Sequence, residues 1–373
     1  MDIFSYLFML VSYIFWPLVI ALAIYSFVRR RRKLHPGQDE ESRQHFAYEK
    51  EILVSQAFFL LAFFFLGATI LFLNRDFNEP LSYQSILFLI SFIGLVGSYF
   101  FKTIPILIIS LFGLIIWWGL QAAIWVEGKD IGMSVVLVGF TFVMLLFYAL
   151  GRFHEQYLKF KNFASVYLII GMVAVTGILF FFSTKVGLSA FEEMNTGGSA
   201  FAAWQLVLSL AIFLAALLGV SIYALQKKLI LFYEFLAILF LAFLFGLIPF
   251  VAGQGMFSGS GVYFSARYGG SELSGAGIIW TIVYNFSIFF ELLGLIFLGY
   301  VRRETWLINL GALFLFILIV VKYFDWFFSF LDKSIFFIGA GILLFAVGWF
   351  MEKGRKKMIL EIKSQTKEPT NLK

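Results

Sequence analysis

Long apolar runs separated by short polar stretches set the pattern of the chain. They occupy residues 4–28, 52–73, 81–101, 103–123, 131–150, 163–184, 201–225, 229–251, 275–300, 306–323 and 334–350. At about 1.5 Å of rise per helical residue, a run of this kind covers most or all of the roughly 30 Å of hydrocarbon in a bilayer. Only helices and closed barrels satisfy their own backbone there, and the runs lack the alternation of a barrel strand. The pattern predicts an all-α, polytopic helical membrane protein with about eleven transmembrane helices.

The polar stretches between the runs give the orientation. Lys and Arg concentrate in alternate loops: 22 of the 28 fall in residues 29–51, at Lys102, in 151–162, at Lys227-Lys228, at Arg302-Arg303 and after residue 350. Cytoplasmic loops carry that excess, so the predicted topology is N-out/C-in. The first run is followed by Arg29-Arg30-Arg31-Arg32-Lys33, the reverse of a cleavable leader, and reads as a retained span. Pro36-Gly37 breaks the chain, and Asp39-Glu40-Glu41 opens a short surface helix in cytoplasmic loop 29–51. The expected organisation is one membrane domain, 1–351, with an outer glycine-rich loop at 252–274 and a basic cytoplasmic tail at 352–373.

Composition sharpens this picture by exclusion. With 61% hydrophobic and 13% charged residues over 373 positions, and a mean hydropathy of +0.93, the polar surface is too small to cover a water-soluble globule. Cysteine is absent, which removes disulfides, thiolate metal sites and cysteine nucleophiles. His35, His45 and His154 fall in charged stretches between or beside the runs, so no bis-histidine haem has its ligands. No cofactor and no metal are expected. The net charge of +6 sits beside hydrophobic segments, where anionic lipid headgroups are the expected partner and nucleic acid is not.

Two carboxylates lie inside apolar runs, Glu234 and Glu291. Glu291 is sixteen residues from Gly275 and eleven from Arg302, about 16 Å from the basic end of its run. A charged carboxylate at depth costs about 2–3 kcal/mol even on lenient insertion scales, so it needs a partner or a proton. Tyr284, Ser287 and Glu291 share one helical face and Thr281 and Asn285 flank it, a polar stripe that belongs away from lipid. Glu234, six residues after Lys228, is expected near the interface, within reach of Lys227, Lys228 or Arg303.

The outer loop, with Gly253, Gly255, Gly259, Gly261, Gly269 and Gly270, has no phosphate-loop or dinucleotide spacing and reads first as a connector. Its Arg267 is a candidate anion contact. No Ser–His–Asp set, HExxH or metal-ligand cluster occurs and no catalytic residue is assigned, so an enzyme reading rests only on dispersed outer residues such as Arg267 and Glu272.

Lys322-Tyr323-Phe324-Asp325, then Asp332-Lys333-Ser334, the glycine-bearing run Ile338–Met351 and the basic Glu352-Lys353-Gly354-Arg355-Lys356-Lys357 resemble the closing segment of a family of uncharacterised bacterial polytopic membrane proteins. The resemblance implies a multi-pass protein of the bacterial cytoplasmic membrane and carries over no catalytic residue. The reading that follows is a membrane protein that binds or moves a small solute or lipid along the stripe at Glu291. Its alternatives are a non-transporting scaffold or assembly subunit with a membrane-protein partner and, more weakly, a lipid- or glycan-modifying enzyme.

Overall fold

The computed structural model describes residues 39–127, 133–184, 187–188, 203–251, 257–258, 272–327 and 333–367. The expected span at 4–28, the basic run Arg29–Lys33, Arg267 and most of the loops at 185–200 and 252–274 lie outside them. The principal helices are α1 (Asp39–Asp76), α2 (Tyr83–Phe101), α3 (Ile104–Val126), α4 (Met133–Glu155), α5 (Lys161–Phe182), α6 (Trp204–Gln226), α7 (Phe232–Gly246), α8 (Ile248–Val251), α9 (Gly275–Val301), α10 (Thr305–Phe327) and α11 (Lys333–Lys367). A single 3-10 turn, Leu158–Phe160, precedes α5, and β1 (Phe257–Ser258) pairs antiparallel with β2 (Glu272–Leu273) ahead of α9. Eight helices among the described residues are long and apolar enough to cross a membrane, and α7 is a shorter apolar helix. This is the make-up of a multi-pass helical membrane protein.

Three boundaries differ from expectation. The surface helix expected at Asp39 and the span expected at 52–73 form one continuous helix, α1, because nothing between Glu41 and Leu53 breaks it. The run 229–251 divides into α7 and the four-residue α8. Pro249 offers no N–H to the carbonyl four residues back and its ring crowds that turn, so α7 stops at Gly246. The basic tail expected from residue 352 begins inside α11, which continues unbroken to Lys367.

The chain divides into two compact units. One holds α1 to α3, α4 from Val135, α5 to Met172, α6 and α7 to Phe245; the other holds α5 from Val173 and everything from Gly246 onward.

In the first unit, α2 and α3 form a tight hairpin. Lys102 closes α2 in the left-handed region at φ 56° with its N–H on the Ser98 carbonyl, and Pro105 sits in the first turn of α3, where its missing N–H costs nothing. Ser91 and Ser98 of α2 and Ser110 of α3 are buried, the small residues that let membrane helices approach. The helices α4 and α5 also approach closely. A Cβ on Gly171 would stand 2.6 Å from the Met144 carbonyl oxygen and 2.8 Å from the Tyr148 backbone nitrogen, so only glycine fits. Trp118, Ala122, Val135, Ala203 and Leu206 form an apolar core cluster of this unit.

In the second unit, Ser274 caps α9 by accepting a hydrogen bond from the Gly277 N–H at 3.1 Å. α9 turns back into α10 through Arg303, at φ 56°. Gly299 permits the contact, since a Cβ there would lie 2.8 Å from the Ile308 nitrogen. One side of α9 is exposed and wholly apolar, including Ile279, Ile282, Phe286, Phe290 and Phe297, a face suited to lipid. The other side buries Tyr284, Ser287, Ile288, Leu292 and Leu295.

Candidate functional site

The two acids of the apolar helices, Glu234 and Glu291, belong to different units and are solvated by protein in opposite ways. Glu234 stands in the first turn of α7, three residues beyond the helix-capping Leu231. Its Oε1 accepts the Leu231 backbone N–H at 3.3 Å, the acidic half of a capping box, where the helix dipole also favours an anion. Its Oε2 accepts the Tyr148 hydroxyl at 2.8 Å. The same hydroxyl accepts the Arg152 Nε at 3.3 Å, and that Nε lies 3.6 Å from Glu234 Oε2. Glu234 is 4% exposed and Arg152 fully buried.

Arg152 also donates to both oxygens of Glu155, at 3.1 and 3.0 Å, and this second carboxylate is 27% exposed. The guanidinium carbon sits 5.4 Å from the Tyr148 ring centroid. Tyr148, Arg152 and Glu155 follow the three–four spacing of one face of α4. The partners expected for Glu234, namely Lys227, Lys228 or Arg303, are thus replaced by Arg152, and the acid is buried instead of interfacial. Arg152 was counted from sequence as a loop charge; α4 reaches Glu155 and carries it inside.

In the second unit, three residues of the stripe on α9 meet the C-terminal part of α5. Glu291 Oε1 accepts the Thr176 hydroxyl at 2.6 Å. Tyr284 is fully buried and its ring stacks on Phe182 at 5.4 Å between centroids. Asn285 Nδ2 donates to the Thr281 carbonyl at 2.7 Å and, at 3.4 Å, to that of Ser183. Lys322 of α10 also donates its ammonium to the Ser183 carbonyl. Ser183 follows the last residue of α5, so a lysine and an amide serve the end of a helix where carbonyls lack intrahelical partners and cations are favoured. The side chain of Asp325, three residues on from Lys322, lies outside the described residues. Ser287 is buried on the same face of α9.

Glu291 Oε2 is buried without a hydrogen-bond partner among the described residues. A native interior leaves few buried polar atoms unsatisfied, and each calls for an explanation. The structure therefore brings Tyr284, Asn285 and Glu291 against the C-terminal part of α5, with Ser287 buried on the same face of α9; Glu234 belongs to the other unit, and Arg267 lies outside the described residues. Tyr148, Arg152 and Thr176 are the contributors that sequence reasoning missed. For the first two the spacing from Tyr148 to Arg152 to Glu155 was a usable signal; a lone threonine in an apolar run such as Thr176 offers none.

Among the described residues no group of three His, Asp or Glu is placed to hold a metal ion. Neither the family models nor the curated proteins nor the solved structures contain a match to this chain.

Proposed function

We propose that the protein is a carrier for a small solute or lipid whose route runs along the α9 seam, with Glu291 as the group that couples movement to a proton. In the same reading it spans the bacterial cytoplasmic membrane eleven times, N-out/C-in, and belongs with the uncharacterised polytopic proteins its C-terminal segment resembles. Arg29–Lys33 and Lys353–Lys357 meet anionic headgroups, and Arg267 guards the outer side.

The observation that carries the reading is the half-satisfied Glu291 carboxyl. One oxygen is fixed by Thr176 and the other, buried in an apolar helix, is left for a proton or a ligand donor. Intramembrane acids are costly, and those that persist face a partner or a pathway. Proteoliposomes offered a mixture of small metabolites and lipids, then washed and read by mass spectrometry, should accumulate a solute with the wild-type chain and lose that accumulation with Glu291→Gln. Equal accumulation with equal pH dependence in the two would overturn the proposal.

The scaffold reading keeps one observation in its favour. Two residues of the polar stripe, Glu291 and Asn285, already meet polar groups of the same chain, the Thr176 hydroxyl and the Ser183 carbonyl. A stoichiometric membrane partner that co-purifies through this unit, with no solute moved, would favour it.

A further inference from the structure

A cluster of titratable groups in the first unit takes no part in either carboxylate site. His154 lies in the last turn of α4, and its Nδ1 is 2.7 Å from the Leu150 carbonyl oxygen. A carbonyl only accepts, so Nδ1 carries the proton, and in the neutral ring Nε2 is then an acceptor. Nε2 lies 2.8 Å from the Tyr99 hydroxyl of α2, which therefore donates to it. Tyr99 has one proton, so at 3.0 Å it receives its other hydrogen bond from the Tyr167 hydroxyl of α5. The protons thus run in one direction, from Tyr167 to Tyr99 to His154 to the α4 backbone. Three helices are joined by this chain, and the His154 ring stacks on Tyr167 at 5.1 Å and 17°.

We propose that His154 is a proton-binding site of this protein and that its protonation reverses the chain. With a proton on Nε2, His154 must donate to Tyr99 and Tyr99 must donate to Tyr167. The buried Tyr167 then has to turn its own proton toward a new acceptor. No bond other than N–H and O–H is made or broken; one proton enters from solvent and two hydroxyls rotate. The groups around the ring are Tyr99 from α2, Tyr167 from α5, Phe153 and Phe160, with Arg152 and Glu155 as its charged neighbours in sequence on α4. The contact of α2 with α4 and α5 is therefore tightest with His154 neutral.

The test uses the full chain in nanodiscs with His35→Gln and His45→Gln, so that one histidine reports. Its ring-nitrogen NMR shifts at neutral pH should show the Nδ1–H tautomer, held by the Leu150 carbonyl, and Tyr99→Phe should move the midpoint of the titration. Melting temperature should fall by a few degrees on acidification through the histidine range in this background and stay level when His154→Gln is added. An Nε2–H tautomer, or a titration unchanged by Tyr99→Phe, would overturn the proposal even if His154→Gln failed to fold. Neither outcome touches Glu291, so failure here is distinct from failure of the carrier reading.

Discussion

Glu234 and Glu291 are the same residue type in helices of similar apolarity, and the protein treats them differently. Around Glu234 it assembles what an anion needs: a helix N-terminal amide, a phenol and a guanidinium. Around Glu291 it supplies one threonine hydroxyl and leaves an oxygen bare. A fully partnered buried acid fixes structure, since removing any partner leaves charge stranded. A partly partnered one is left able to exchange what it binds. The count of donors around each carboxylate separates the two.

The comparison can be broken by variants, and the largest effect should come from Arg152→Ala. It strands Glu234 without its cation and should cost about 3–5 kcal/mol of stability in equilibrium unfolding. The double variant Arg152→Met, Glu234→Leu should recover more than half of that loss, and failure to recover would mean that the cluster holds more than a pair. Glu234→Gln comes next, at about 1.5–3 kcal/mol, because it weakens charge-assisted hydrogen bonds. Glu291→Gln should cost no more than about 1 kcal/mol, since the amide oxygen still accepts from Thr176. Thr176→Val should fall in the same range. A large loss of stability at Glu291 would erase the distinction.

The smallest expected effect lies outside the membrane and calibrates the rest. Arg355 donates to both oxygens of Glu352, and Lys356 lies 3.3 Å from the same carboxylate. The Arg355 hydrogen bonds, with Lys356 adding to them, hold its carboxyl down at about 2, below the ordinary 4.5. A depressed carboxylate contributes stability that is complete above its unfolded value and disappears as the pH falls through the folded one. The link from Arg355 to Asn309 of α10, at 2.7 Å, should therefore keep amide-exchange protection in this part of α11 down to about pH 4.5 and lose it toward pH 2.

Most of the frame was legible in the sequence because membrane helices advertise themselves by length and apolarity, and α2 to α6, α9 and α10 fall within a few residues of the expected runs. The positions that misled were those where one residue overrides a run. Pro249 ends α7 early, and the absence of a breaker after Glu41 merges two expected elements into α1. The stripe on α9 was visible from its spacing, but its partner was not. Hydrogen bonds such as Thr176 to Glu291 join residues 115 apart in the chain, and nothing local to either announces the pairing. Arg152 was hidden by its own charge, since arginine near the end of an apolar run is ordinarily read as an interfacial anchor.

The early end of α7 has a consequence for the bilayer itself. Fifteen helical residues reach about 22 Å, well short of roughly 30 Å of hydrocarbon. Glu234 and Arg152 tie the first turn of this helix to α4, so a crossing through α7 would have to be completed beyond Gly246. Around such a crossing lipid would thin, or Leu247–Val251 would fill the gap. The protein should on that account be more stable in short-chain than in long-chain lipid, a dependence set by a single proline.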